Sequence, residues 1–182
     1  MRERSPIYLS REELERVCRM ETLRRSGPGG QNRNKVETGV RFFHDSTGLV
    51  GEATEERYQV ANRRNALERL RLALALTARS KPTLVQEENG EIRIDPEYAK
   101  TMRWFTRIRG GRISVSVEHE DYAILVSEFF DVYFAVGEDL ARAVLALETT
   151  SSQIVRLLTR APQALATLNA SRERLGLRRL RG

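Results

Sequence analysis

The sequence predicts an α+β fold for its first half and a mainly α-helical fold for its second. Three observations carry this reading. Two strand-like runs, Val36 to Phe43 and Leu49 to Ala53, flank the turn signal Asp45-Ser46-Thr47-Gly48. After Thr54 a long segment repeats apolar residues at helical spacing, with Val60, Leu67, Leu70 and Leu74 on one stripe. From Asp121 onward the apolar pattern is helical with few breaks.

Taken in order, Ser10 with Glu13 makes a capping box for a short helix over about Arg11 to Arg19. Met20 to Arg25 reads as a brief strand. Ser26 to Lys35 holds three glycines, a proline and two asparagines, and must be a loop. The hairpin follows. Thr54 is the expected N-cap of the long helix, with Glu55 and Glu56 in a first turn where the helix dipole favours acids. Ser80-Lys81-Pro82 closes it near Ala78. The polar residues 83–95 contain the turn Asn89-Gly90 and are expected to link two domains, 1–82 and 96–182. Asp95-Pro96 opens a further helix as N-cap and N1, and Gly110-Gly111 ends it. Ile113, Val115 and Val117 alternate with Ser114 and Ser116, as a short strand would. Helices are then expected over Asp121 to Val136, Glu138 to Leu147, Ser151 to Arg160 and Pro162 to Asn169. Residues 140–158 have a helix–turn–helix flavour, but a small bundle suits them better. The end, Ser171 to Gly182, is rich in arginine, with Leu175, Leu177 and Leu180 available to pack.

Composition narrows the function. At 40% hydrophobic residues the chain of 182 can bury a core. The net charge is +6 and the pI is near 10.0, which suggests a polyanionic partner. Most of the basic excess is arginine, which grips phosphate with two donors and stacks on bases, so RNA is favoured. The single cysteine, Cys18, excludes an internal disulfide framework and reads as a small buried hydrophobe. His44 and His119 are the only histidines, so no metal-ligand cluster and no cofactor are expected. His44 reads as a hairpin residue and His119 as a surface or cap residue. The most apolar stretch, Tyr122 to Val136, is broken by Ser127, Glu128 and Asp131 and is too short for a membrane span. No secretory signal is visible at the N-terminus, and a cytoplasmic location is the expectation. Trp104 and Phe105 beside arginines could stack on bases, but such aromatics more often belong to a core.

The loop is where chemistry is expected. Gly27, Gly29 and Gly30 reach positive φ without steric cost, and Pro28 stiffens the backbone between them. The loop lacks the Gly-Lys-Ser/Thr end of a nucleotide-binding loop and the strand–helix setting of a dinucleotide fold. Ordering several glycines costs much conformational entropy, which argues against a loop with no task.

The stretch Arg24-Arg25-Ser26-Gly27-Pro28-Gly29-Gly30-Gln31-Asn32-Arg33-Asn34-Lys35 closely resembles the signature of class I peptide chain release factors and their ribosome-rescue relatives. The likeness continues through Thr47-Gly48-Leu49-Val50. It returns in Glu56-Arg57-Tyr58-Gln59-Val60-Ala61-Asn62-Arg63, where the family carries an Arg-x-Gln-x-x-Asn-basic pattern. It covers about residues 15 to 78. Arg33 departs from the valine of many members, and Tyr58 from a common serine.

The resemblance implies a catalytic tip of Gly29, Gly30 and Gln31 that enters the ribosomal peptidyl transferase centre. There water attacks the ester joining the nascent peptide to the tRNA ribose. The Gln31 backbone N–H would stabilise the tetrahedral oxyanion, and a donor aimed this way is worth about 3–4 kcal/mol. Gly29 and Gly30 would supply the backbone that aims it. The partners implied are ribosomal RNA and peptidyl-tRNA, and the chain is expected to act as a monomer. Arg24, Arg25, Arg33 and Lys35 are candidates to neutralise RNA phosphates, with Ser26 and Pro28 in the same RNA-contacting set. Asn32 and Asn34 could bond RNA or hold the loop's own shape. Arg57, Arg63 and Arg64 could reach RNA from the helix, or simply form a solvated face. Only about 25 residues precede the loop, so release without stop-codon reading is expected. The competing readings are a non-catalytic RNA anchor and a stop-codon-dependent factor that decodes with its C-terminal part.

Overall fold

The computed structural model describes residues 5–24 and 37–182. The chain forms two compact units, Met1–Thr77 and Ala78–Gly182.

The first unit is a three-stranded antiparallel sheet with one long helix across it. After a 3-10 turn at Pro6–Tyr8 comes α1 (Arg11–Arg16), with the expected capping box: Ser10 accepts from the Glu13 amide while Glu13 accepts from the Ser10 amide. Strands β1 (Arg19–Leu23), β2 (Gly39–His44) and β3 (Leu49–Ala53) follow in the spatial order β1-β2-β3. Period-two alternation sorts their side chains. Val40, Phe42, His44, Gly51 and Ala53 are buried. On the other face Arg41 pairs with its cross-strand partner Glu52 at 2.5 Å, and Arg19 lies 4.1 Å over the ring of its partner Phe43. The β2–β3 turn closes as the sequence indicates, with Gly48 at φ +70° and its amide bonded to His44 O. His44 is buried and bonds Thr47 Oγ1 at 2.8 Å; burial lowers its pKa.

Helix α2 spans Gln59–Thr77, so it starts later than the Thr54 cap signal predicts. Glu55 instead accepts from the Thr54 amide and pairs with Arg69, and the chain bends before the helix begins. The stripe against the sheet is Asn62, Ala66, Leu67, Leu70, Arg71, Leu74 and Ala75. Val60 is 80% exposed and lies off it. The buried Arg71 donates to Leu9 O at 2.7 Å, which ties the N-terminal segment to the helix. Cys18 falls just past α1 and is half-buried; burial pushes its thiol up to about 11, so it stays protonated at neutral pH.

The second unit begins with a hairpin where the sequence suggests a linker. Strands β4 (Leu84–Gln86) and β5 (Ile92–Ile94) pair across Asn89-Gly90, and Ile94 is buried. Leu84 pairs with Ile94 and Gln86 with Ile92 across the turn. Asp95 caps α3 (Pro96–Ala99) by accepting from two amides. The single helix expected to reach Gly110 is instead two short ones, α3 and α4 (Trp104–Arg107). They are followed by the small hairpin β6 (Ile108–Arg109) and β7 (Arg112–Ile113). Then come α5 (Asp121–Ala135), α6 (Leu140–Ala146), α7 (Ser151–Thr159) and α8 (Pro162–Arg174).

Helix α5 is buried along nearly its whole length, so its polar groups need partners. Glu128 accepts from the Arg103 and Trp104 amides at 2.8 and 2.7 Å, which fixes the start of α4. Tyr122 donates to Leu157 O. Trp104 is fully buried, with its indole N–H on Leu147 O at 2.9 Å, so it belongs to the core and not to a stacking surface. His119 caps α5 by accepting from the Asp121 amide. Among the described residues no helix is long and apolar enough to cross a membrane. At the chain end, the Asn169 amide group bonds both N and O of Leu180, and Arg172 donates to Arg178 O. The basic terminal segment thus folds back on α8.

Asp131 carries a pH dependence. Burial pushes its carboxyl up to about 6, against the pull of the Ser80 amide and of Arg79 at 3.1 Å. A folded value above the ordinary 3.8 means that ionisation costs folding free energy. That cost is absent below the ordinary value and complete above about pH 6. Thermal melts should therefore show Asp131→Asn gaining stability relative to the parent as pH rises from 4 to 7. A constant difference across that range would contradict the assignment.

Candidate functional site

Gly29, Gly30 and Gln31 lie outside the described residues, as do Arg25, Ser26, Pro28, Asn32, Arg33, Asn34 and Lys35. The structure does describe both ends of this segment and what holds them. Leu23 and Gly39 are the last paired residues of β1 and β2, so the segment between them closes on a strand pair. Gly39 leaves room for that closure, since a Cβ there would crowd Thr54 Cγ2 at 2.8 Å and Leu23 O at 3.0 Å.

Beyond the last pair, side chains take over from the ladder. Glu37 accepts from Thr22 Oγ1 at 2.7 Å and from Arg24 Nε at 3.1 Å. The Thr22 hydrogen bond and the Arg24 charge hold its carboxyl below the usual range. The backbone on the returning side is gripped by the first turn of α2. Gln59 Nε2 donates to Glu37 O at 3.0 Å, and Asn62 Nδ2 donates to Thr38 O at 2.7 Å. Asn62 is fully buried and also locks the bend before α2, donating to Glu56 O and accepting from the Glu56 amide, both at 3.0 Å. One asparagine thus satisfies three backbone groups that neither sheet nor helix can serve. Gln59 and Asn62 stand three residues apart, on neighbouring positions of one helix face.

These clamp residues, Thr22, Glu37, Gln59 and Asn62, are absent from the candidates read from sequence. The signal for two of them was present in the Arg57-x-Gln59-x-x-Asn62 pattern, whose polar members look like surface residues until their partners are known. The four described arginine candidates divide. Arg24 is engaged with Glu37. Arg63 forms a two-pronged pair with Glu15, at 2.6 and 3.2 Å. Arg57 lies beside the exposed Tyr58 ring, 5.8 Å from its centre. Arg64 is exposed on α2.

Asn62→Ala removes three hydrogen bonds from part-buried backbone groups, each worth about 0.5–1.5 kcal/mol. The expected result is a loss of about 2–4 kcal/mol in denaturant unfolding of this unit. Amides at the start of α2 and in β2 should exchange faster. Wild-type protection there would show that the clamp does not hold the segment.

The small sheet, the helix across it and the clamp at the outgoing end of the loop lie within a stretch that matches a known family. The RF-1 domain family matches residues 10–114, more than half of the chain, and the chain belongs to that family. It is similar to the chloroplastic peptide chain release factor PrfB1 of Arabidopsis thaliana, with 42% identity over 81 residues. That stretch is 44% of this chain and 18% of the relative. It is also similar to peptide chain release factor 1 of Chloroherpeton thalassium, 46% identical over 68 residues, 37% of this chain and 18% of the relative. The match thus spans about a fifth of the length of either protein. No solved structure matches the chain.

Proposed function

We propose that this protein hydrolyses the ester of peptidyl-tRNA on the ribosome, with Gly29-Gly30-Gln31 at the reacting centre and without reading a stop codon. The observation that carries the reading is the clamp. Gln59 and Asn62 spend their amide groups on Glu37 and Thr38, where the Gly-Gly-Gln segment rejoins β2. Both residues belong to the pattern that resembles the release factors. A segment anchored on both sides suits a tip that must present backbone donors at a fixed place.

In the proposed reaction, a water oxygen attacks the ester carbonyl carbon and its electrons move onto the carbonyl oxygen. The Gln31 backbone N–H donates to that oxyanion. The intermediate collapses with cleavage of the bond to the ribose oxygen, which leaves with a proton, and the peptide leaves as a free acid. The Gln31 side chain positions water or excludes other nucleophiles. The loop from Ser26 to Lys35 contains no His, Asp, Glu or Cys, so proton transfer falls to groups of the ribosome and tRNA.

Support for codon independence is of another kind. Residues Ala78–Gly182 form a compact unit of their own, mainly helical. Its exposed arginines suit contact with a nucleic-acid backbone, which positions without reading sequence.

The test is peptide release from purified complexes carrying labelled peptidyl-tRNA. Three substrates are compared: ribosomes on mRNA truncated in the P site, ribosomes on mRNA extending past the A site with sense or stop codons, and isolated large subunits. Release on truncated complexes or large subunits, indifferent to codon identity, is expected. Release confined to stop codons would overturn the codon-independent reading. Binding without release on every substrate would favour a non-catalytic anchor.

A further inference from the structure

The second unit carries a groove that the proposed chemistry does not use. One wall is the extended segment that begins with β7. Residues two apart share a side of a strand, so Arg112, Ser114 and Ser116 face one way, and all three are exposed. The other wall is α7. Gln153, Arg156 and Arg160 follow at steps of three and four, which places them on one helix face, while Ile154, Leu157 and Leu158 are buried on the other. All six line the same groove, joined by Arg107 at its end.

The groove is built, not incidental. The Ile113 amide donates to Gln153 Oε1, Arg160 donates to Val115 O at 2.6 Å, and Thr149 Oγ1 donates to Gly111 O. These bonds hold strand and helix at a fixed separation. Arg107 is fixed by Asp121, 2.6 Å away, which cancels its charge. Arg112 and Arg156 form no ion pair among the described residues, and no carboxylate lines the groove. Two uncompensated guanidinium groups, a third anchored on backbone, and serine hydroxyls between them present donors and positive charge to one strip of space.

We propose that this groove binds a phosphodiester backbone, and that on the ribosome its occupant is RNA. The choice of RNA rests on the function proposed above; the choice of a phosphate backbone rests on the groove alone. Guanidinium groups on facing walls match phosphates, each accepting two N–H donors. Serine hydroxyls and a glutamine amide complement phosphate and ribose oxygens. No exposed aromatic lines the groove to stack on bases, so binding should be insensitive to sequence.

The experiment measures binding of a labelled RNA hairpin, and of a DNA duplex of the same sequence, to the full-length protein across a salt series. The variants are R112S/R156S and R112E/R156E. Both side chains are exposed and outside the strand–helix bonds, so folding should be unaffected, as circular dichroism would verify. Losing two phosphate contacts should lower the log–log salt slope for the hairpin by about 1.5–2. The charge-reversed pair should weaken binding further than the serine pair. Unchanged affinity and slope for the hairpin in both variants would overturn the proposal. So would a loss confined to the DNA duplex. The release assay separates this outcome from the function above. A parent protein that never releases peptide, yet binds the hairpin through Arg112 and Arg156, would sink the hydrolase reading and leave the groove assigned.

Discussion

Gly30→Ala is expected to lower peptide release by about 100- to 1,000-fold while leaving ribosome binding nearly unchanged. The magnitude is that of losing one preorganised donor to a developing oxyanion. The proposed role of Gly29 and Gly30 is to let the Gln31 N–H take its aim, and a Cβ at either position restricts the backbone that does this. Gly30→Ala leaves every arginine proposed to contact RNA in place, Arg57, Arg112 and Arg156 among them, so affinity should survive. Single-turnover release on a saturated complex isolates the chemical step, and a pelleting assay isolates binding. A Gly30→Ala protein that releases peptide at the parent rate would remove the proposed mechanism. Equal losses in release and binding would mean that the segment is an anchor.

Gly51→Ala should remove most of the stability of the first unit. A Cβ at this position would lie 2.1 Å from Ala66 O, 2.5 Å from Leu70 N and 2.6 Å from Leu70 Cβ. Ordinary contact begins at 3.4 Å, so the helix backbone itself would have to move by more than an ångström. Overpacking that side chains can absorb costs about 1–3 kcal/mol. Here the obstacle is main chain, with Leu67, Leu70 and Leu74 fully buried around it, so the cost should reach or exceed the upper end of that range. Against a total of about 5–15 kcal/mol for a typical domain, this is a large fraction. Gly48→Ala is the contrast. Its Cβ would meet nothing within 4 Å, and only the positive φ of +70° is penalised, by about 1–2 kcal/mol. Denaturant unfolding followed by amide exchange in β2, β3 and α2 should rank Gly51→Ala far below Gly48→Ala. The reverse order would mean that α2 does not pack on β3 as described.

Both predictions mark the boundary between what the chain states locally and what folding adds. The hairpin of β2 and β3 was legible because alternation and a Gly48 turn are local signals. So were the capping box at Ser10, the Asp95-Pro96 helix start and the buried run of α5. The Gly-Gly-Gln segment announced itself by glycine content and by its resemblance to the release factors. Its surroundings did not. Thr54 carries a sound N-cap signal, yet α2 begins at Gln59, because Asn62 finds its partners in the bend before the helix and in the outgoing end of the loop segment. Val60 fits the apolar stripe by spacing but lies on the exposed side.

The sequence by itself determined the α+β first half, the helical second half, the positive charge and the candidate catalytic triplet. The first three are fixed by composition or by patterns within one or two turns or strands, and the triplet is a candidate through its resemblance to the release factors. Tertiary structure decided which polar residues became supports. Gln59 and Asn62 hold main chain 22 and 24 residues away, and Glu128 caps a helix 24 residues before it. It also decided that Gly51 must be glycine, since the backbone it meets comes from a helix later in the chain. The arginine groove arose in the same way, from a strand and a helix 40 residues apart, brought together by the Ile113–Gln153 bond. Periodicity reports which face of an element is apolar. Only the packed chain reports which distant backbone or charge that face will meet.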